Sequence, residues 1–203
     1  FEHSNYNEVL VMDVKPDFFL DEIFKIEAEG MLSDIIFSTF MASFLLDFNE
    51  DMHRKAIKYI SDVLDECYKE GHLKVAIQHE GETLYGFALL FVHPNHSATY
   101  LHKIFVREEY RNNGLGTNIL KNLIGTGSSV NLLCSDDKFN FYEKNGFNYV
   151  RPFKVPESEN FKLSKGLYSG LAIMSSSKDA IEAPIFFLND NDLKIIAGLE
   201  QKR

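Results

Sequence analysis

The segment from Tyr100 to Thr117 limits what this chain can fold into more than any other. An apolar, β-rich run from Tyr100 to Val106 passes through Arg107–Tyr110 into Arg111-Asn112-Asn113-Gly114-Leu115-Gly116-Thr117. Leu115, Ile119, Leu120, Leu123 and Ile124 then recur at helical spacing. A strand that ends in a glycine-rich turn at a helix N-terminus leaves main-chain N–H groups unpaired at the positive end of the helix dipole. Such a turn is a site for phosphate. Gly114 and Gly116 carry no Cβ that would hold a pyrophosphate off the backbone, and Arg111 adds a positive charge at the mouth.

Two familiar phosphate motifs do not fit. A dinucleotide fingerprint wants a third glycine where Ile119 stands, and no Gly-Lys-Ser/Thr follows as a P-loop requires. An ordinary strand–turn–helix corner stays compatible with the glycine turn taken alone.

A second motif lies downstream, Phe141-Tyr142-Glu143-Lys144-Asn145-Gly146-Phe147, with the apolar run Val130–Cys134 between the two. Strand, Arg-x-x-Gly-x-Gly, helix, strand, helix and Phe-Tyr-x-Lys-x-Gly-Phe, in that order and spacing over residues 83–153, resemble the GNAT superfamily of acetyl-CoA-dependent N-acetyltransferases. The resemblance implies an α/β (α+β) acyltransferase fold, with a mixed, mostly antiparallel sheet of about seven strands flanked by helices. It implies one domain over residues 1–203: a helical acceptor side (1–71), an acetyl-CoA core (72–153) and a C-terminal strand with an extension (154–203). It also implies acetyl-CoA as cosubstrate. Its pyrophosphate would lie on Arg111, Asn112, Asn113, Gly114, Leu115, Gly116 and Thr117. Its pantetheine arm would run along Ile104, Phe105 and Val106, with Phe141 beside it.

Acetyl transfer to an amine needs a donor for the departing thiolate and a base for the amine. The resemblance sets Tyr142 beside the thioester sulfur. A phenol with an ordinary pKa of ~10 keeps its proton where a thiol of ~8.5 is losing its own. Relatives often use a carboxylate on the strand Ala98–Val106, but none occurs here. Tyr100 and His102 take its polar positions on one side by two-residue alternation. His102, with an ordinary pKa of ~6.5, suits the task directly or through water. It also reads as a histidine hydrogen-bonded on a sheet surface. His93 and His96 form an H-x-x-H pair with no further ligand at metal spacing, so no metal is expected. Cys134 lacks a local histidine motif that would mark it as a nucleophile.

Composition narrows the partners. The net charge is −9, and residues 1–70 hold 16 acidic against 6 basic residues while the remainder is nearly balanced at 14 against 15. That sign disfavours nucleic acid, which needs a basic surface. It is compatible with a cationic amine acceptor, small molecule or peptide, and equally with plain solubility. The apolar window Met31–Phe48 is broken by Ser33, Asp34, Ser38, Thr39 and Asp47, so no membrane span is expected. Its Phe-rich part, Ile35–Phe48, could instead line a pocket for a longer acyl chain. Cys67 and Cys134 sit in apolar patterns and read as free core thiols of a reducing, cytoplasmic setting. A homodimer is compatible with the resemblance, as is a catalytically weak acyl-CoA sensor or assembly module.

Along the chain, alternation predicts a first strand over Asn7–Lys15. Helices follow over Asp17–Glu29 (stopped by Gly30), Ser33–Phe48, and from an Asn49 or Asp51 cap to Gly71. Strands Leu73–His79 and Leu84–His93 form a hairpin through Glu80-Gly81-Glu82. After Ala98–Val106 and the glycine-turn helix come strand Val130–Ser135, helix Asp136–Asn145, and strands Phe147–Phe153 and Leu167–Ser175. The tail holds an apolar run, Ile185–Leu188, and a small helix capped near Asp190–Asp192.

Overall fold

The computed structural model describes residues 18–38, 48–179 and 182–199. Two helices come first, α1 (Leu20–Ile36) and α2 (Glu50–Lys69), followed by β1 (Leu73–Glu80), β2 (Thr83–Phe91) and β3 (Ala98–Val106). Then come α3 (Leu115–Gly125), β4 (Ser129–Cys134), α4 (Phe139–Lys144), β5 (Asn148–Pro152), α5 (Lys165–Tyr168), β6 (Ala172–Ser175) and α6 (Asp190–Ile196).

The described strands form one six-stranded sheet in the order β1-β2-β3-β4-β6-β5. Only β3 and β4 run parallel; the other neighbours pair antiparallel. The expected mixed, mostly antiparallel sheet with flanking helices is therefore present. The seventh expected strand, Asn7–Lys15, lies outside the described residues.

Alternation along the strands sends neighbouring side chains into two different cores. Phe87, Leu89, Phe91 and Tyr100 pack on one face with Ile23, Phe24, Leu32, Ile60 and Leu64 from α1 and α2, and with Leu193 and Ile196 from α6. Ala88, Leu90, Leu101, Leu132 and Met174 pack on the other face with Ile119, Leu120 and Leu123 of α3. Fully burying a side chain of this size contributes ~1.5–3 kcal/mol. The outer face of α2 is charged, and its acids are met one turn away by Lys58–Asp62, Lys69–Asp65 and Lys55–Asp51 pairs. These exposed pairs each contribute ~0.2–0.5 kcal/mol.

Three sequence expectations change. Gly30 does not stop α1, which continues through it to Ile36. A Cβ there would stand 3.3 Å from Lys103 Nζ, so this glycine makes room for a lysine reaching over the helix. Ser33–Ile36 is consequently the last turn of α1 rather than the start of a second helix, and residues 39–47 of that expected helix lie outside the described residues. The strand expected over Leu167–Ser175 shortens to Ala172–Ser175. Its first residues belong to the single turn α5, and Tyr168 uses its hydroxyl to accept from Leu188 N at 2.8 Å.

The tail is part of the fold. Residues 182–188 cross the sheet on the α1/α2 side, and α6 follows under a capping box built by Asn189 and Asp192. Tyr59 of α2 donates to Asp192 Oδ1 at 2.6 Å. Asp190 is buried and accepts from the main-chain N–H of Lys162, Leu163 and Ser164 at 2.8–3.0 Å. Burial alone would raise its carboxyl, but these donors together hold it below the usual aspartate value.

Candidate functional site

The glycine turn folds as its sequence requires. Gly114 is the N-cap of α3 at φ 78°, a left-handed conformation that glycine adopts without strain, and no side chain caps the helix. Asn112 is also left-handed at φ 63°. The first helical bond runs from Asn118 N to Gly114 O at 2.9 Å, so the N–H groups of Leu115, Gly116 and Thr117 have no acceptor within the helix. Exposed Arg111 donates Nε to Val106 O at 2.9 Å, which holds its guanidinium at the end of β3. Asn113 reaches back to Tyr110 O at 3.5 Å. A Cβ on Gly116 would meet only ordinary contacts, the nearest Phe141 Cζ at 3.7 Å. The chain's own packing therefore does not demand glycine there, whereas a ligand approaching the helix N-terminus would.

Beside this turn the sheet opens. β3 and β4 pair from Ala98↔Ser129 to Leu101↔Leu132, and there the ladder ends while β3 continues to Val106. Arg107 N donates to Tyr85 O, and the Phe105 carbonyl lies against Gly86, so both point to β2. By alternation the main-chain groups of Ile104 and Val106 turn toward the gap. An extended ligand carrying amides can pair there as an added strand. Phe105 instead stacks its ring on Phe87 at 5.1 Å.

Across the gap stands α4. Phe141 is 39% exposed near the N-terminus of α3. Tyr142 is half-buried, with its ring 5.7 Å from Phe147 and 5.2 Å from Phe141. Burial, and to a lesser degree Cys134, pushes its phenol up to about 12, so it holds its proton throughout the neutral range. Cys134 is a buried free thiol that burial raises to about 11. Such a thiol is protonated near neutral pH and is a poor nucleophile.

His102 occupies an unusual place in β3. Leu89 pairs with Lys103 and Leu90 with Leu101, so His102 is the extra residue of a β-bulge. The bulge lets His102 and Lys103, consecutive in sequence, reach the same carboxylate. His102 Nε2 lies 3.1 Å from Glu27 Oε1 and Lys103 Nζ 3.2 Å from Glu27 Oε2. Glu27, from the middle of α1, is 2% exposed. Burial raises its carboxyl, but the hydrogen bond and charge of His102 and the charge of Lys103 together hold it below the usual value. Asp34, further along α1, is raised chiefly by partial burial, with the Lys103 charge opposing the shift and the Glu27 charge adding to it.

His102 can donate Nε2–H to Glu27. The Nδ1 of His102 is buried and has no hydrogen-bond partner among the described residues. The ring is bordered by Phe91, Tyr100 and Phe186 at 5.3–5.9 Å. Glu27 carries no sequence signal: it is one acid among many in a helix, and only the fold brings it to His102. His93 and His96 do meet, with ring centres 5.6 Å apart. Among the described residues no group of three His, Cys, Asp or Glu could hold a metal ion, and no helix is long and apolar enough to cross a membrane.

Residues 69–149 match the family model described as the acetyltransferase (GNAT) domain. No curated protein sequence matches. Among solved structures, a histone acetyltransferase HPA2 and related acetyltransferase from Corynebacterium glutamicum is similar over 82% of this chain and 95% of its own, at 13% identity and a TM-score of 0.52. An acetyltransferase from Bacillus subtilis in complex with CoA is similar over 56% of this chain and 81% of its own, at 15% identity and a TM-score of 0.42. A spermidine N-acetyltransferase chimera from Vibrio cholerae and hSSAT is similar over 59% and 73%, at 15% identity and 0.43.

Proposed function

We propose that this chain, whose residues 69–149 match the acetyltransferase (GNAT) domain model, is an N-acetyltransferase moving an acetyl group from acetyl-CoA to a primary amine by direct attack. One observation carries the reading: β3 and β4 part after Leu101↔Leu132 directly beside the uncapped N-terminus of α3. The three open N–H groups and Arg111 supply a cradle for the pyrophosphate. Ile104 and Val106 supply main-chain partners for the pantetheine amides, and the splayed strand end supplies an N–H for the carbonyl oxygen, worth ~3 kcal/mol of barrier. Acetyl-CoA brings the thioester, whose C–S bond breaks as the C–N bond forms.

His102 takes the amine proton on Nδ1, directly or through a water, with Nε2–H fixed on Glu27. Tyr142 donates a hydrogen bond to the departing thiolate. A phenol near 12 facing a thiol of ~8.5 does not surrender its proton outright; it stabilises the thiolate until solvent protonates it. Cys134, protonated at neutral pH, takes no part. We treat residues 1–203 as one working unit, supported by the packing of α6 on α2.

The test is calorimetric binding of acetyl-CoA together with thiol release across a panel of amines graded by charge. Binding with amine-dependent release supports the enzyme. Binding with no release for any amine replaces it by an acyl-CoA sensor, and no binding removes both.

A further inference from the structure

The sheet face opposite α3 carries a cavity of about 430 Å³. Its floor includes Tyr100 and Asn131, which pair across β3 and β4, with Leu132, Leu133 and Ile173 beside them. These are the last rungs before the two strands part. Its roof is the tail, with Ile185 and Phe187 turned inward. Phe186 between them turns the other way, stacking on Phe91 at 4.6 Å and meeting the His102 ring edge-on at 5.3 Å. The cavity therefore adjoins the apex of the gap on one side and the histidine cluster on another.

Its chemistry is distinct from that of the acidic helices. Apart from His96, the charged side chains that line it are Arg151 and Glu182, both exposed and opposite in sign. The rest of the wall is largely aliphatic and aromatic. Tyr100 is 5% exposed, and burial raises its phenol, so its hydroxyl stays neutral. His96 has a buried Nδ1 with no hydrogen-bond partner among the described residues. Asp51, Asp62 and Asp65 of α2 pair with lysines on its outer face, and no acid of α2 lines this space.

Resting on the acetyltransferase reading above, we infer that this cavity receives the acceptor, and that the acceptor is a primary amine with an uncharged, apolar body rather than a polyamine. The volume equals roughly 14 water volumes, enough for an aryl or branched alkyl group on a short aminoalkyl arm. A second ammonium group would lie against mostly apolar walls, whose one carboxylate, Glu182, is exposed and shares the lining with Arg151 of opposite charge, a costly placement. The arm leads the reacting nitrogen to the apex of the gap, where the acetyl carbonyl is offered. The tail thus sets specificity, and His96 and Tyr100 are available to orient a polar substituent.

The experiment is calorimetry on the full chain saturated with CoA, using 2-phenylethylamine and spermidine as probes. Ala183→Phe fills the cavity from the roof and Ile173→Phe from the floor, so one variant remains if the other fails to fold. The expected result is binding of 2-phenylethylamine at least tenfold tighter than spermidine. Either filled variant should weaken it tenfold or more while leaving acetyl-CoA affinity within twofold. Tighter spermidine binding overturns the inference, as does 2-phenylethylamine affinity untouched by both variants. So does filling that spares the amine but abolishes use of octanoyl-CoA, which would make the space an acyl pocket. Amine binding that persists in protein with no acetyl-CoA affinity would instead sink the acetyltransferase reading and leave the cavity assignment standing.

Discussion

His102 and Glu27 are 75 positions apart in sequence, yet Nε2 of the histidine stands 3.1 Å from Oε1 of the glutamate. The pair ties the middle of α1 to the bulge of β3, and Lys103 completes it from the next residue. A carboxylate buried this fully is tolerable only when it is paired.

Glu27→Ala should destabilise the fold by ~3 kcal/mol, because it leaves a partly buried lysine without its carboxylate beside an unanchored histidine. Glu27→Gln should cost less, ~1–3 kcal/mol. The folded carboxyl is held below its ordinary 4.5. Its contribution is therefore complete above that value and is lost as pH falls through the lower folded value. Denaturant titrations of wild type and Glu27→Gln should show a stability gap that is constant from pH 6 to 7 and closes below about pH 4. A gap independent of pH would mean that the pair acts only by shape. In activity assays Glu27→Gln should also displace the acid limb of the kcat/KM profile, which a purely structural loss would not move.

Gly116→Ala separates binding from stability. The added methyl finds no atom of the chain closer than 3.7 Å, and alanine is the better helix former by ~1 kcal/mol. Thermal unfolding should hold or rise slightly while acetyl-CoA affinity drops at least tenfold. Gly114→Ala, at φ 78°, should lose both, with strain of ~1–2 kcal/mol.

Tyr142→Phe should lower kcat by ~10²-fold with the acetyl-CoA dissociation constant unchanged. Since the phenol is pushed up to about 12, the wild-type rate should show no descending limb assignable to it below about pH 11. A basic limb near pH 9 that vanishes in Tyr142→Phe would contradict this.

Cys134, with its thiol near 11, should resist iodoacetamide at pH 8 in the folded protein and react only after unfolding. Mass spectrometry after incubation with acetyl-CoA should find no acetyl group on it. An acetylated Cys134 with ping-pong kinetics would overturn direct attack.

The strand, glycine turn and helix from β3 to α3 were readable from sequence because their signals are local. Gly114 caps a helix that follows it directly, and Leu115, Ile119, Leu120 and Leu123 declare their buried face by spacing alone. The side built by α1, the β3 bulge and the tail was less legible, since its decisive contacts join distant segments. Gly30 looks like a stop until Lys103 is found above it. Alternation set Tyr100 and His102 on one side, but the bulge that brings Lys103 around to the same carboxylate has no local mark. Tyr168 reads as a strand residue until Leu188 claims its hydroxyl. Each is a tertiary contact that outweighs a local preference.

The two cores on opposite faces of one sheet have a consequence for how such a protein can change. Tyr100 and Leu101 are covalent neighbours, yet they answer to different constraints. Substitutions on the tail's side of the partition can accumulate without disturbing the packing behind α3. If the cavity under the tail receives the acceptor as inferred, exchanging the segment after β6 would hand the scaffold a new clientele while its energy currency stays the same.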